Sequence, residues 1–142
     1  MTFISRNPLS GCRVLLVEDE SLVAALVEDL LLDAGCDVVL AMRLDEAMAV
    51  ANEGEVELGI LDVNLGEERS YPVADALRAR GTPFIFATGY GRNGLNGAYS
   101  DVPVLQKPYR AAELLRCAAD ALAGQQHKTR KMVRPTHFDD SN

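Results

Sequence analysis

Two kinds of apolar period alternate along this chain, and that alternation constrains the fold more than any other feature. Short β-branched and leucine-rich runs at 13–17 (RVLLV), 37–41 (DVVLA), 57–61 (ELGIL), 82–87 (TPFIFA) and 103–105 read as strands. Their unbroken apolar character suits strands buried on both faces. Between them apolar residues recur at helical spacing. Val23, Leu26, Val27, Leu30, Leu31 and Ala34 form one stripe closed by Gly35. Leu44, Ala47, Met48 and Ala51 form a second closed by Gly54. A third runs from Pro72, which a first helical turn tolerates, through Ala74, Ala76 and Leu77 to Gly81. Leu114, Leu115, Ala118, Ala119 and Leu122 mark a last helix ending at Gly124. Strand–helix alternation with short connections predicts an α/β fold with right-handed crossovers. Five strands fit a doubly wound parallel sheet in the order 2-1-3-4-5, with its ligand site at the C-terminal strand ends.

One segment breaks the alternation. Residues 89–101 (GYGRNGLNGAYSD) hold four glycines and two asparagines where a fourth helix belongs. Glycine costs about 1 kcal/mol in a helix interior, so this helix is expected to be short or absent. A chain of 142 residues suits one domain. We expect an extension at 1–11, the domain at 12–123 and a flexible basic tail at 124–142. The net charge is -7, which argues against a generally basic nucleic-acid surface. The tail runs against that balance, with His127, Lys128, Arg130, Lys131 and Arg134 facing only Asp139 and Asp140. The three cysteines, Cys12, Cys36 and Cys117, lack metal-ligand or disulfide-framework spacing and read as buried thiols of a reducing compartment. The N-terminus has no signal-peptide core, and no apolar stretch reaches the ~20 residues needed to cross a bilayer. A cytoplasmic protein without membrane contact is expected.

The chemistry lies at the strand ends. Strand one runs into Glu18 and Asp19, strand three into Asp62, strand four into Thr88 and Gly89, and strand five into Lys107 and Pro108. A parallel sheet places all these ends on one edge. Each residue alone has a bland reading as a cap, a turn or a solvated charge. Together they gather three carboxylates, one hydroxyl and one ammonium. Three carboxylates repel one another unless a cation binds, and hard oxygen ligands favour Mg2+ or Mn2+. Acids, a divalent ion, lysine and threonine suit phosphoryl transfer, with Asp62 on the central strand as the nucleophile.

Val17-Glu18-Asp19-Glu20, Leu61-Asp62-Val63-Asn64, Ala87-Thr88-Gly89 and Leu105-Gln106-Lys107-Pro108 resemble, in order and spacing, the motifs of receiver domains of two-component response regulators. The resemblance spans about residues 12–123 and implies the flavodoxin-like receiver fold. It implies that Asp62 accepts a phosphoryl group from a histidine kinase or a histidine phosphotransfer protein. Mg2+ would be held by Asp19 and Asp62, by the backbone carbonyl of Asn64, and by Glu18 mainly through water. Thr88 and Lys107 would contact the phosphate, and Gly89 would bring its N–H close to it. Receivers are signalling modules, not turnover enzymes.

Two departures stand out. The aromatic residue that receivers usually carry three positions before the lysine is here Val104; phosphorylation is then expected to order residues 89–101 instead of rotating an aromatic, with Tyr90 or Tyr99 taking the packing role, unless both tyrosines simply cover the pocket or the core. Phe86-Ala87-Thr88-Gly89 resembles the motif of a subgroup of bacterial single-domain receivers associated with stress-response phosphorelays, although Tyr90 precedes Gly91 where that motif has a hydrophobic residue and then tyrosine. At 142 residues the sequence is expected to carry no DNA-binding domain. Output is therefore expected through a downstream protein or as a phosphate relay or sink, from a monomer or homodimer that does not bind DNA directly. Two other classes compete. A dehalogenase-type phosphatase normally needs a second aspartate where Asn64 stands. A flavodoxin-like electron carrier would meet repulsion of its FMN phosphate at Glu18, Asp19 and Glu20.

Overall fold

The computed structural model describes residues 8–90, 95 and 97–124. The elements follow in the order β1 (Arg13–Val17), α1 (Ser21–Asp33), β2 (Asp37–Ala41), α2 (Leu44–Glu53), β3 (Leu58–Asp62), β4 (Asn64–Leu65), β5 (Glu68–Arg69), α3 (Tyr71–Ala79), β6 (Phe84–Thr88), a 3-10 turn at Gly97–Tyr99 and β7 (Val104–Gln106). A final helix, α4, covers 111–124. The five-stranded sheet has the order β2-β1-β3-β6-β7, and each neighbouring pair is parallel. This is the doubly wound order expected from the alternation.

Strand periodicity divides the core in two. Leu15, Val17, Leu61 and Phe86 point into one cluster, with Ala47 and Ala51 of α2 and Val73, Ala74 and Leu77 of α3. Val14, Leu16, Ile60 and Ile85 point into the other, with Val27 and Leu31 of α1 and Leu114 and Ala118 of α4. Every residue of β3 and β6 is buried, as strands covered on both faces must be. Gly59 lets α3 approach β3 closely, because a Cβ there would lie 2.6 Å from Leu77 Cδ1.

The structure adjusts several boundaries. Helix α1 begins at Ser21, before its first inward residue, and α3 ends at Ala79, before Gly81. The stretch after Asp62 is an antiparallel hairpin pairing Asn64 with Arg69 and Leu65 with Glu68. In the glycine-rich connection the fourth helical segment is present as the three-residue turn Gly97–Tyr99. Positions 91–94 and 96 of that connection lie outside the described residues, as do 1–7 of the extension and 125–142 of the tail. All three cysteines are free, Cys12 and Cys36 buried. Burial, with Glu57 and Cys36 nearby, pushes the Cys12 thiol up to about 11, which keeps it protonated and unreactive. Among the described residues no helix is long and apolar enough to cross a membrane.

Candidate functional site

The sheet delivers its acids to one corner. Register pairs Val17 with Leu61 and Asp62 with Ala87, so the exits of β1, β3 and β6 lie side by side. Beyond those exits Glu18 N–H donates to Ala41 O at 3.1 Å and Val63 N–H to Ala87 O at 3.0 Å, which extends the ladder into the site. Carboxylate oxygens of Glu18, Asp19 and Asp62 lie within 4.8 Å of one another. Glu18 and Asp62 are 2% and 7% exposed, and Asp19 stands further out at the mouth. Three hard oxygen donors so close fit a small divalent cation.

Lys107 reaches this corner from β7. Its Nζ donates to Glu18 Oε1 at 2.9 Å and to Asp62 Oδ2 at 3.1 Å. One ammonium thus serves two buried carboxylates. Burial pushes Glu18 up to about 7, the Lys107 hydrogen bond pulling it down and the Asp62 charge pushing it further up. Burial draws the lysine down, but the hydrogen bonds to Glu18 and Asp62 outweigh it and leave Lys107 above its ordinary value. Charge in the corner is therefore under-compensated.

Each acid also accepts one backbone N–H. Glu20 N–H donates to Glu18 Oε2 at 3.2 Å, Asn64 N–H to Asp62 Oδ1 at 3.2 Å and Gly66 N–H to Asp19 Oδ2 at 2.8 Å. The first two bonds are local, two residues along the chain. The third comes from 47 positions away and exists because the hairpin turn brings Gly66 to Asp19, just beyond the exit of β1. Glu20 N-caps α1 without a side-chain cap bond.

Thr88 and Gly89 form the neighbouring wall. Thr88 is 1% exposed, and its hydroxyl accepts from Tyr90 N–H at 3.1 Å. Its carbonyl accepts from Lys107 N–H at 2.8 Å, which holds the lysine loop against β6. Gly89 borders open space: a Cβ there would meet nothing within 4 Å. The structure thus joins Glu18, Asp19, Asp62 and Lys107 directly. Asn64 is tied in through its N–H, and Thr88 and Gly89 lie on the adjacent strand exit.

Behind β6 lies a wall of aromatics. Tyr99 is 5% exposed, whereas Tyr90 is 74% exposed, and Tyr99 belongs to the core cluster against which Val104 packs. Its ring stacks on Tyr71 at 4.8 Å and meets Phe86 edge-on at 5.4 Å. Its hydroxyl donates to Asp75 Oδ1 at 2.6 Å. Arg78 lies over the same ring and donates to Asp101 Oδ1 at 3.0 Å. Burial, with Asp75 beside it, pushes the Tyr99 hydroxyl up to about 12. Sequence reading singled out Tyr99 but not Asp75, Arg78 or Tyr71, because α3 meets the connection through contacts more than 20 residues apart.

A five-stranded doubly wound sheet gathering three carboxylates and one ammonium at its carboxyl edge defines a flavodoxin-like protein with a charged pocket at that edge. The chain belongs to the response regulator receiver domain family, whose model matches residues 14–119. It is 34% identical over 110 residues to the transcriptional regulatory protein DltR of Streptococcus agalactiae, the match taking in 72% of this chain and 48% of that protein. It thus spans about half the length of the curated relatives it matches. Among solved structures it is 40% identical to SdrG of Sphingomonas melonis, with a TM-score of 0.67, covering 80% of this chain and 97% of that one. It is 26% identical to the receiver domain of the sensor histidine kinase PA1611 of Pseudomonas aeruginosa, with a TM-score of 0.71, covering 80% and 99%. That structure carries a magnesium ion in its active site cleft.

Proposed function

We propose that the chain accepts a phosphoryl group on Asp62 from a histidine kinase or histidine phosphotransfer protein in a two-component phosphorelay. The observation that carries this reading is Lys107 Nζ donating at once to Asp62 and Glu18 in a corner of three carboxylates. An ammonium held there is placed to pair with anionic oxygens arriving at Asp62.

In this reading Asp19 and Asp62, the backbone carbonyl of Asn64 and, through water, Glu18 would hold Mg2+, with Mn2+ a substitute. When bound there, the cation would supply charge neutralisation for the phosphoryl oxygens. A carboxylate oxygen of Asp62 attacks the phosphorus of a phosphohistidine. The new O–P bond forms as the P–N bond breaks, and its electron pair stays on the imidazole nitrogen. Lys107 exchanges its carboxylate partners for phosphoryl oxygens. Thr88 turns its hydroxyl from the Tyr90 N–H to the phosphoryl group, and the open space at Gly89 lets its N–H approach.

A protein donor is favoured by the surface beside the pocket. Leu22 and Leu26 of α1 are exposed, and Val23, Leu26 and Leu30 with Pro108 and Tyr109 line a groove of about 700 Å3 that opens next to Lys107. An apolar groove at the rim of a charged pocket marks a protein contact. Output, in turn, passes by protein contact or phosphate relay from the unit 12–123, with 1–11 and 124–142 as flanking extension and tail. The match to SdrG over nearly all of that chain supports a receiver working as its own unit.

Phosphotransfer from a labelled histidine kinase tests the reading. Wild-type protein should take label and Asp62→Asn should take none; equal labelling of the two would sink the assignment. Leu26→Glu should slow transfer from the kinase while leaving labelling by a small phosphodonor such as acetyl phosphate intact.

A further inference from the structure

We propose that Gly66 is a positioning residue for the cation site: its backbone N–H, presented by the β4–β5 hairpin, holds the Asp19 carboxylate ready for the ion. The inference rests on the Mg2+ reading above.

Asp19 is the most exposed of the three acids and lacks the contacts that fix the other two. Lys107 holds Glu18 and Asp62, and local N–H groups add a second tether to each. For Asp19 the hydrogen bond that fixes the carboxylate is the 2.8 Å bond from Gly66. With Oδ2 so engaged, the side chain is held in one orientation before any ion arrives. Preorganisation of this kind strengthens binding by lowering the ordering cost.

The hairpin is built for this placement. Two two-residue strands carry little stability of their own, but Leu65 anchors them in the core at 6% exposure. Ser70 N–H donates to Val63 O at 2.9 Å and closes the base of the hairpin. The connecting pair is Gly66–Glu67, and Gly66 has φ +62°. Positive φ at the first position alone is the type II′ arrangement, which favours glycine there. A Cβ at Gly66 would meet nothing within 4 Å. Substitution there strains the backbone without a steric clash, so any effect on the ion travels through the direction of the N–H.

Gly11 supplies a matched control. It too has positive φ, +81°, and open space around a would-be Cβ, but it precedes β1 at the opposite edge of the sheet. Mg2+ binding by isothermal titration should be measured for wild type, Gly66→Ala, Gly66→Asn and Gly11→Ala, with thermal stability in parallel. Gly66→Ala and Gly11→Ala should lose similar stability, but only Gly66→Ala should weaken Mg2+ binding, by about tenfold, as loss of a ligand's outer partner does. Gly66→Asn, which tolerates positive φ better, should recover part of that loss and provides the readout if the alanine variant fails to fold. Without Mg2+, Asp19→Asn should shift the Gly66 amide resonance. Wild-type affinity in Gly66→Ala, equal weakening in Gly11→Ala, or an unmoved Gly66 amide would overturn the proposal. If wild type itself binds no more Mg2+ than Asp62→Asn, the cation reading fails first and takes this inference with it.

Discussion

The two sides of β6 are held by opposite physics. Toward the acids, order depends on charge: one lysine, three carboxylates and single N–H tethers, with Glu18 pushed up to about 7 because burial is not fully compensated. Toward α3, order depends on packing: Tyr71, Phe86 and Tyr99 in mutual contact, fastened by Asp75 and Arg78. The first side is poised to respond to a cation or anion, because its internal cost falls when countercharge arrives. Among the described residues the second gathers no cluster of buried carboxylates, its charges being the Arg78–Asp101 pair and Asp75 at the rim of the rings. It backs the strand exit with packed rings, and its Tyr99 belongs to the core cluster against which Val104 packs.

Substitutions on each side should therefore separate. Tyr99→Ala should cost about 3–5 kcal/mol of stability, the range for emptying a buried aromatic site. The loss should be the same with and without Mg2+ in denaturant unfolding; rescue by Mg2+ would break the comparison. The next largest effect belongs to Glu18. Its folded value of about 7 lies above the ordinary 4.5, so the native state binds more protons than the unfolded chain between those limits. In EDTA, wild-type stability should fall as pH rises from about 5 to 8. Lys107, raised above its ordinary value, stays charged across that window and adds no slope. Glu18→Gln should flatten the fall, by at most about 3 kcal/mol, and saturating Mg2+ should shrink the difference. An unchanged slope in Glu18→Gln would show that the charge cost lies elsewhere. The smallest effect is Tyr99→Phe, which removes only the hydroxyl on Asp75 and should cost about 1 kcal/mol, again independent of Mg2+.

Much of this was legible in the sequence. The strand runs and the residues ending them placed Glu18, Asp19, Asp62, Thr88 and Lys107 on one edge, because in a parallel sheet the end of a strand is a position in space. The short helical turn at 97–99 followed from glycine content. The hairpin did not show, since strands of two residues are too short to carry a period. Its Gly66–Glu67 turn between Leu65 and Glu68 was the signal available. The partners of Tyr99 did not show either. Asp75 and Arg78 lie on the solvent side of α3's stripe in sequence, and only the folded connection returning across that helix gives them a role. Asp19 likewise read as a helix-end charge or a ligand, and nothing local revealed that Gly66 would hold it.

The central claim is that Asp62 forms the acyl phosphate. Protein phosphorylated by a histidine kinase in the presence of Mg2+ can be reduced with borohydride, which converts a phosphorylated aspartate to homoserine, and the modified position mapped by mass spectrometry. The reduced residue is expected at Asp62. Reduction at Asp19 or Glu18 instead, or at no carboxylate in protein that has taken up phosphate, would contradict it.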